Sequence, residues 1–170
     1  RQAPFRTGPQ KVRLYPRADE QQRQVDREAG FLKKLKEAGI PDSDIRVIGC
    51  GDMDSAIKNN AIMELLNPLD YTAILAFNDE IAYRIINTFR TAHVKIPKDI
   101  SLMGFDHIRK YVPYHAPLTS IFCAQEYNIG EIAVDLLLER ITNPDMPKQA
   151  RVLPVKIYNE GTTGAPRKLL

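Results

Sequence analysis

The sequence predicts an α/β fold built on a parallel, doubly wound sheet, and two patterns indicate it. First, short apolar stretches alternate with amphipathic helical stretches along most of the 170 residues, and repeated units of this kind form parallel sheets with right-handed crossovers. Second, the run from Tyr71 to Phe77 is almost continuously apolar, which is typical of a strand buried on both faces of such a sheet. A chain of this length can bury the core of one domain.

The first part of the chain contains two strand and helix units. Alternating apolar and basic residues from Lys11 to Tyr15 predict the first strand. The helix that follows is expected to end at Gly39 and Pro41, and its predicted apolar stripe consists of Val25, Ala29, Leu32 and Leu35. The IRVI of Ile45 to Ile48 predicts the second strand, and the turn GDMDS leads into a second helix. The apolar residues of that second helix are Ile57, Ala61 and Leu65.

The second part continues the alternation. The apolar run from Tyr71 leads into a helix expected from about Asp79 to Thr91. His93 stands where helices often close with a left-handed residue, so we interpret it as a helix-end residue rather than a catalytic one. The remaining predicted elements are a buried strand from Ile100 to Phe105, a helix that carries Ile129, Ala133, Leu136 and Leu137 and ends at Asn143 and Pro144, and a strand from Val152 to Tyr158.

Composition argues against several classes of protein. No apolar run approaches the length that spans a bilayer, and the first residues, which begin with Arg1 rather than Met, lack the apolar segment of a secretion signal. We therefore expect a cytoplasmic protein and a chain that is a piece of a longer one. Cys50 and Cys123 have no CxxC partner, so neither a disulfide framework nor a metal site is indicated. Basic residues at the start come without a helix-turn-helix or finger pattern, so we expect no nucleic-acid binding by this chain alone.

Polar residues follow two of the predicted strands directly. Asn78 and Asp79 come after the first buried strand, and Asp106 comes after the next one. Parallel strands present such residues at one edge, where open α/β sheets bind ligands. Either Asn78 or Asp79 suffices to cap the following helix, which leaves the other free to face a cleft. Asp106 precedes no strongly periodic helix, so ligand binding and loop organisation both stay open for it.

Six strings give the chain a family resemblance. From about Lys11 to Thr163 it resembles the effector-binding domain of the LacI/GalR family of bacterial transcription regulators. The strings, in order, are RxxGF at Arg27 to Phe31, TAILAFNDEIA, IPKDISLMGFD, APLTSI, IGEIAVDLLLERI and VLPVKIYNEGTT. The resemblance implies a Rossmann-like, two-lobed fold of the periplasmic-binding-protein type I, with a small molecule, usually a sugar or a nucleobase, in the cleft.

The resemblance also implies roles for individual residues. Arg27, Asn78 and Asp106 would contact the effector, and Asp79 would cap its helix or support Asn78. His107 stands where relatives often have Asp or Asn, and we assign it a supporting role. Carboxylate and amide oxygens accept hydrogen bonds from hydroxyl groups and an arginine donates to neighbouring oxygens, so the set fits a sugar. No cofactor and no metal is expected.

Relative to the family, the chain supplies one lobe nearly whole. Residues 11–122 and 152–163 would form that lobe, and residues 123–143 would be a fragment of the other. The apolar face of the last helix would then lack its own sheet and be exposed. A homodimer is expected through the helix after Asn78 and the loop from Val112 to Leu118, and DNA would be bound only by a module absent from this chain.

Two other functions remain as alternatives. A sugar-binding protein of a transport system shares the implied fold, but the missing secretion signal and the GFD and PLTS strings favour the regulators. An enzyme that uses NAD would need a glycine-rich turn after the first strand, and KVRLYPRADEQQ has none. No nucleophile and base accompany Asp79 and Asp106, so catalysis is not expected.

Overall fold

The computed structural model describes residues 12–15, 21–48, 55–108, 116–123 and 127–168. These residues form a short 3-10 helix (Asp42–Asp44), four α-helices and six strands: β1 (Val12–Tyr15), α1 (Gln21–Glu37), β2 (Ile45–Val47), α2 (Ser55–Glu64), β3 (Ala73–Ala76), α3 (Asp79–Thr91), β4 (Ser101–Phe105), β5 (Ser120–Cys123), α4 (Ile129–Thr142) and β6 (Val155–Tyr158). Most of the basic residues at the start, residues 51–54 of the GDMDS turn, Cys50 and residues 112–115 of the loop from Val112 to Leu118 lie outside the described residues.

The six strands form one sheet in the order β2-β1-β3-β4-β5-β6. Neighbours from β2 to β5 run parallel, as the sequence predicts. The last pair differs, because β6 runs antiparallel to β5, with Ser120 opposite Tyr158 and Cys123 opposite Val155. The predicted α/β fold with a doubly wound, mostly parallel sheet is confirmed, and β6 is the exception at its edge.

Strand order also locates a reversal in the winding of the sheet. The chain proceeds from β1 to β2 on one side of β1, and then returns to place β3, β4 and β5 on the other side. The helix α1 follows β1, and α3 connects β3 to β4. At such a reversal the connections after β1 and β3 diverge and leave a crevice at the carboxyl ends of these strands. This crevice is the expected place for a ligand.

The hydrophobic core lies around β3, β4, α2 and α3. Its fully buried side chains include Leu65, Tyr71, Ile85, Phe89 and Leu102. The predicted stripe of α1 is only partly buried, because Leu35 is covered while Ala29 is exposed. The expectation that Ala29 faces the core is wrong, and among the stripe residues whose burial the structure describes Leu35 is the one that is buried.

Helix α3 forms where its sequence predicts. Asn78 is the N-cap, with extended backbone and a side-chain oxygen that accepts from the Ile81 N–H at 3.0 Å. The apolar residues Ile81, Ala82, Ile85 and Phe89 are buried. At the other end His93 has a left-handed φ of +59° and its N–H donates to the Arg90 carbonyl. The interpretation of His93 as a helix-end residue is confirmed.

The segment after β6 is fixed to the sheet by two buried threonines. The Thr162 hydroxyl donates to the Leu102 carbonyl at 2.7 Å and accepts from the Thr119 N–H at 2.8 Å. The Thr119 hydroxyl accepts from the Thr162 N–H at 3.3 Å. These contacts tie the closing string of the chain between β4 and β5.

Helix α4 presents an uncovered apolar face. Asn128 caps it by accepting from the N–H groups of Gly130 and Glu131. Its apolar side chains are nevertheless exposed, with Leu137 at 58% and Ile141 at 65%. Within the part of the chain that the structure describes, no helix is long and apolar enough to cross a membrane.

Candidate functional site

Arg27 reaches from α1 to the carboxyl ends of β3 and β4. Its guanidinium donates to the Phe77 carbonyl at 3.1 Å. It also lies over two aromatic rings, 3.8 Å from the centroid of Phe105 and 4.8 Å from that of Phe77. The positive charge of a guanidinium is attracted to the negative face of an aromatic ring. The side chain is therefore held in place before any ligand arrives.

The same guanidinium faces Asp106. The Arg27 Nη2 atom lies 3.6 Å from Asp106 Oδ1, and the two side chains are 27% and 39% exposed. This separation exceeds that of a charge-assisted hydrogen bond, about 2.8 Å. A hydroxyl group beside the pair can therefore accept from the guanidinium and donate to the carboxylate. The structure brings together two of the three effector-contact residues that the sequence predicts.

Asn78 follows Phe77, whose carbonyl holds Arg27. Its Oδ1 atom caps α3 by accepting from the Ile81 N–H, which uses one of the two lone pairs of the amide oxygen. The amide nitrogen has no hydrogen-bond partner among the described residues. The amide nitrogen can therefore donate to a ligand, and a contact between Asn78 and an effector stays a prediction.

Asp79 is turned away from the helix end and into the protein. It is 1% exposed, and its two carboxylate oxygens accept from the Ser120 hydroxyl at 2.6 Å and from the Ile108 N–H at 2.8 Å. The expectation that Asp79 caps α3 is wrong, because Asn78 is the cap, and a supporting role of Asp79 for Asn78 stays a prediction. Asp79 instead connects the start of α3 to β5 and to the loop after β4.

Gly104 on β4 provides the space for this carboxylate. A Cβ atom at position 104 would overlap Asp79 Oδ1 and would lie 3.1 Å from Leu118 Cδ2. Because strand residues usually carry side chains that pack, a glycine here marks a close approach. The glycine of the GFD string is therefore explained by Asp79 and not by a turn.

The loop after β4 has an unusual backbone. Asp106 and His107 have φ values of +99° and +49°, a region that side chains other than glycine seldom adopt. The His107 ring stacks on Tyr158, with centroids 4.3 Å apart and planes at 18°, and the Tyr158 hydroxyl donates to the Cys123 carbonyl at 3.0 Å. The supporting role of His107 stays a prediction, and these contacts describe how it would act.

Four residues of the site were missed by the sequence reasoning. Phe77 and Phe105 flank Arg27, Ser120 binds Asp79, and Gly104 makes room for it. All four lie in the quoted strings TAILAFNDEIA, GFD and APLTSI. The signal for Gly104 and Ser120 was a small or polar residue among apolar strand residues, and that for Phe77 and Phe105 was an aromatic residue directly before the polar residues Asn78 and Asp106. Among the described residues, no three His, Cys, Asp or Glu side chains lie close enough to hold a metal ion.

Burial raises the pKa of the Asp79 carboxyl above its ordinary value of 3.8. Desolvation is the main cause, the hydrogen bonds from Ser120 and Ile108 oppose it, and the neighbouring charges of Asp106 and His107 act in opposite directions. A raised pKa means that the folded state holds this proton more tightly than the unfolded state. The resulting stabilisation is complete below pH 3.8 and is lost as the pH rises through the folded-state pKa.

We therefore expect the unfolding free energy of the wild type, relative to Asp79→Asn, to fall as the pH rises through this window. Each unit of difference between the folded and unfolded pKa corresponds to about 1.4 kcal/mol. Urea unfolding of both proteins between about pH 3.5 and 7 measures how the unfolding free energy changes with pH. This range begins near the ordinary pKa of a carboxyl group and extends well above it. If the difference in unfolding free energy between the two proteins did not change with pH, the raised pKa of Asp79 would be contradicted.

Comparison with known proteins adds independent information. The chain matches a family model described as the periplasmic binding protein-like domain over residues 8–163. It is 34% identical over 117 residues to the HTH-type transcriptional repressor PurR of Photobacterium profundum, covering 68% of this chain and 34% of that protein. It is 29% identical over 134 residues to the ribose operon repressor of Escherichia coli, covering 78% of this chain and 40% of that protein.

A solved structure matches over nearly the whole chain. The LacI family transcriptional regulator from Enterococcus faecium with bound ribose superposes with a TM-score of 0.76 at 25% identity, covering 93% of this chain and 58% of that one. The chain spans about a third to two fifths of the length of the two curated relatives, with 34% and 40% covered.

Proposed function

This chain belongs to the family of periplasmic binding protein-like domains, of the type found in LacI regulators, and we propose that its cleft binds a sugar of the size of ribose. Its relatives are transcriptional repressors, and one solved relative holds ribose. In this proposal the chain is the effector-binding part of a repressor, and the effector is a hydroxyl-rich molecule. DNA is bound by a module outside this chain.

One observation carries the proposal, namely that the side chains of Arg27 and Asp106 face each other at the reversal of the sheet. The two side chains are only partly exposed, and their nearest atoms stand 3.6 Å apart. Arg27 is fixed by the ring of Phe105 and the carbonyl of Phe77. A guanidinium fixed in this way loses little conformational freedom when a ligand arrives, so its hydrogen bonds contribute more to affinity.

Hydroxyl groups match this set of donors and acceptors. The carboxylate of Asp106 only accepts, the guanidinium of Arg27 only donates, and the remaining amide group of Asn78 donates. A sugar hydroxyl can donate and accept at once, so neighbouring hydroxyls can satisfy all three residues. This reasoning supports a sugar and is independent of which sugar is bound.

Regulation would follow from differential binding to two arrangements of the lobes. We infer the division in which residues 11–122 and 152–163 form one lobe and residues 123–143 belong to the other. The exposed apolar face of α4 supports it, because a helix of a globular protein buries one face. A ligand held better by the closed arrangement shifts the population toward it. A homodimer through α3 completes the proposal.

The proposal is tested by titrating the full-length protein with D-ribose in a calorimeter. We expect Asp106→Asn to weaken binding by about 10-fold or more, because a hydrogen bond to a charged group contributes about 1.5–3 kcal/mol. The amide that replaces the carboxylate would also direct N–H groups at Arg27. The melting temperature should change little, since Asp106 is partly exposed.

Asp99→Asn is the matched control. Asp99 stands before the amino end of β4, where it accepts from the Lys95 N–H at 2.8 Å, and Asp106 stands at the opposite end of the same strand. The control should bind ribose within about twofold of the wild type. Absence of ribose binding by the wild type would refute ribose as the effector, and equal affinities of wild type and Asp106→Asn would refute the site.

A further inference from the structure

Three consecutive backbone amides after β4 are each fixed by a separate partner. The Asp106 N–H donates to the Ile121 carbonyl at 2.9 Å, the His107 N–H donates to the Ser120 hydroxyl oxygen at 3.1 Å, and the Ile108 N–H donates to Asp79 Oδ2 at 2.8 Å. The first partner is a strand backbone, whereas the other two are buried side chains. This loop is therefore held by side chains that cannot reach a ligand.

The loop needs such support because its backbone is strained. Positive φ angles at two successive residues, Asp106 and His107, are unfavourable for residues with a Cβ atom and persist only where the surroundings impose them. Asp106 carries the carboxylate that faces Arg27. If the loop relaxed toward ordinary φ values, that carboxylate would leave its place opposite the guanidinium.

Asp79 controls two of the three supports. It accepts from the Ile108 N–H directly. It also accepts a hydrogen bond from the Ser120 hydroxyl at 2.6 Å. This bond orients the hydroxyl oxygen so that its lone pairs face the His107 N–H. An ionised carboxylate serves both bonds because it has two accepting oxygens and no proton to donate.

We propose that Asp79 is a positioning residue of the effector site, which acts through Ser120 and Ile108 to hold Asp106 in its strained conformation. The proposal rests on the effector role proposed for Asp106. Asp79 and Ser120 are 1% and 0% exposed, so neither touches an effector in this arrangement. Their influence on affinity is transmitted by the backbone of residues 106–108.

The test compares Asp79→Asn and Ser120→Ala in the full-length protein. Asparagine has the shape of aspartate but only one accepting oxygen, so one of the two bonds is lost without a cavity. We expect each variant to bind D-ribose at least about 10-fold more weakly than the wild type. The double variant should bind ribose no more weakly than the single variant with the lower affinity, because both residues support the same loop.

Thr162→Val is the matched control for a purely structural role. Thr162 is also buried and loses comparable hydrogen bonds, those to Leu102 and Thr119, but it does not contact the loop. This variant should melt at a lower temperature and keep its ribose affinity within about twofold of wild type. Affinity losses in all three variants in proportion to stability would overturn the proposal.

Amide hydrogen exchange provides a readout that needs no ligand. In Asp79→Asn the Ile108 amide should exchange at least about 10-fold faster, while the amide of Leu75 in β3 should be unchanged. Unchanged protection at Ile108 would overturn the positioning role. If the wild type fails to bind ribose, the assignment of ribose fails by itself, and the exchange result still decides whether Asp79 holds the loop.

Discussion

Replacing Gly104 by alanine should destabilise the protein by on the order of 3 kcal/mol and abolish its response to an effector. The added methyl group would occupy the position of Asp79 Oδ1 and crowd Leu118 Cδ2. The carboxylate cannot withdraw freely, because Ser120 and Ile108 both donate to it. Either β4 shifts or a buried carboxylate loses its partners, and both outcomes displace Asp106.

Urea denaturation of Gly104→Ala measures this effect, and Gly30→Ala is its control. A Cβ atom at Gly30, in α1, would meet nothing within 4 Å, so alanine there should stabilise the helix by about 1 kcal/mol. The same substitution is thus expected to change the stability in opposite directions at the two sites. Asp79→Ala should restore part of the stability of Gly104→Ala, and a Gly104→Ala protein as stable as the wild type would refute the steric argument.

Arg27→Ala should have the largest effect on effector binding, a loss of about 100-fold or more in ribose affinity. The substitution removes the donor to the ligand and also leaves the Asp106 carboxylate without the guanidinium 3.6 Å away. Arg27→Lys should recover only part of the affinity. Lysine keeps the charge but lacks the planar group that lies over Phe105 and donates to the Phe77 carbonyl.

Calorimetric titration with D-ribose measures both variants, and Arg46→Ala is the control. Arg46 forms a surface ion pair with Glu64 at 3.8 Å, with both side chains more than half exposed. Such pairs contribute little, so this variant should bind ribose as the wild type does. If Arg27→Lys binds as tightly as wild type, the fixed geometry of the guanidinium is irrelevant to recognition.

Features determined by neighbouring residues could be predicted from the sequence. Helix α3 was expected from Asp79 to Thr91 and has these bounds, because its cap, its apolar period and its closing His93 are all local. The approach of Arg27 to Asp106 was implied by the family resemblance and is consistent with the winding of the sheet, since both residues follow strands that end at the same edge.

Features determined by distant residues could not be predicted. Asn78 and Asp79 are both good helix caps, and what separates them is Ser120, which lies 41 residues from Asp79 along the chain. The direction of β6 depends on its pairing with β5 and is not encoded in its own alternating residues. The exposure of Ala29 and the burial of Leu35 likewise depend on how α1 packs in the folded chain, which the apolar period of the helix does not determine.

The contact between Gly104 and Asp79 has a consequence for how sequences of this family can diverge. The two positions constitute one constraint, because the carboxylate occupies the volume that any side chain at 104 would need. A lineage that keeps the acid must keep the glycine, whereas a lineage that loses the acid first is free to fill the space. A relative with a larger residue at position 104 should therefore also lack the acid at position 79, because the acid must be lost first. The residues at these two positions then indicate which relatives still fix the loop through this acid.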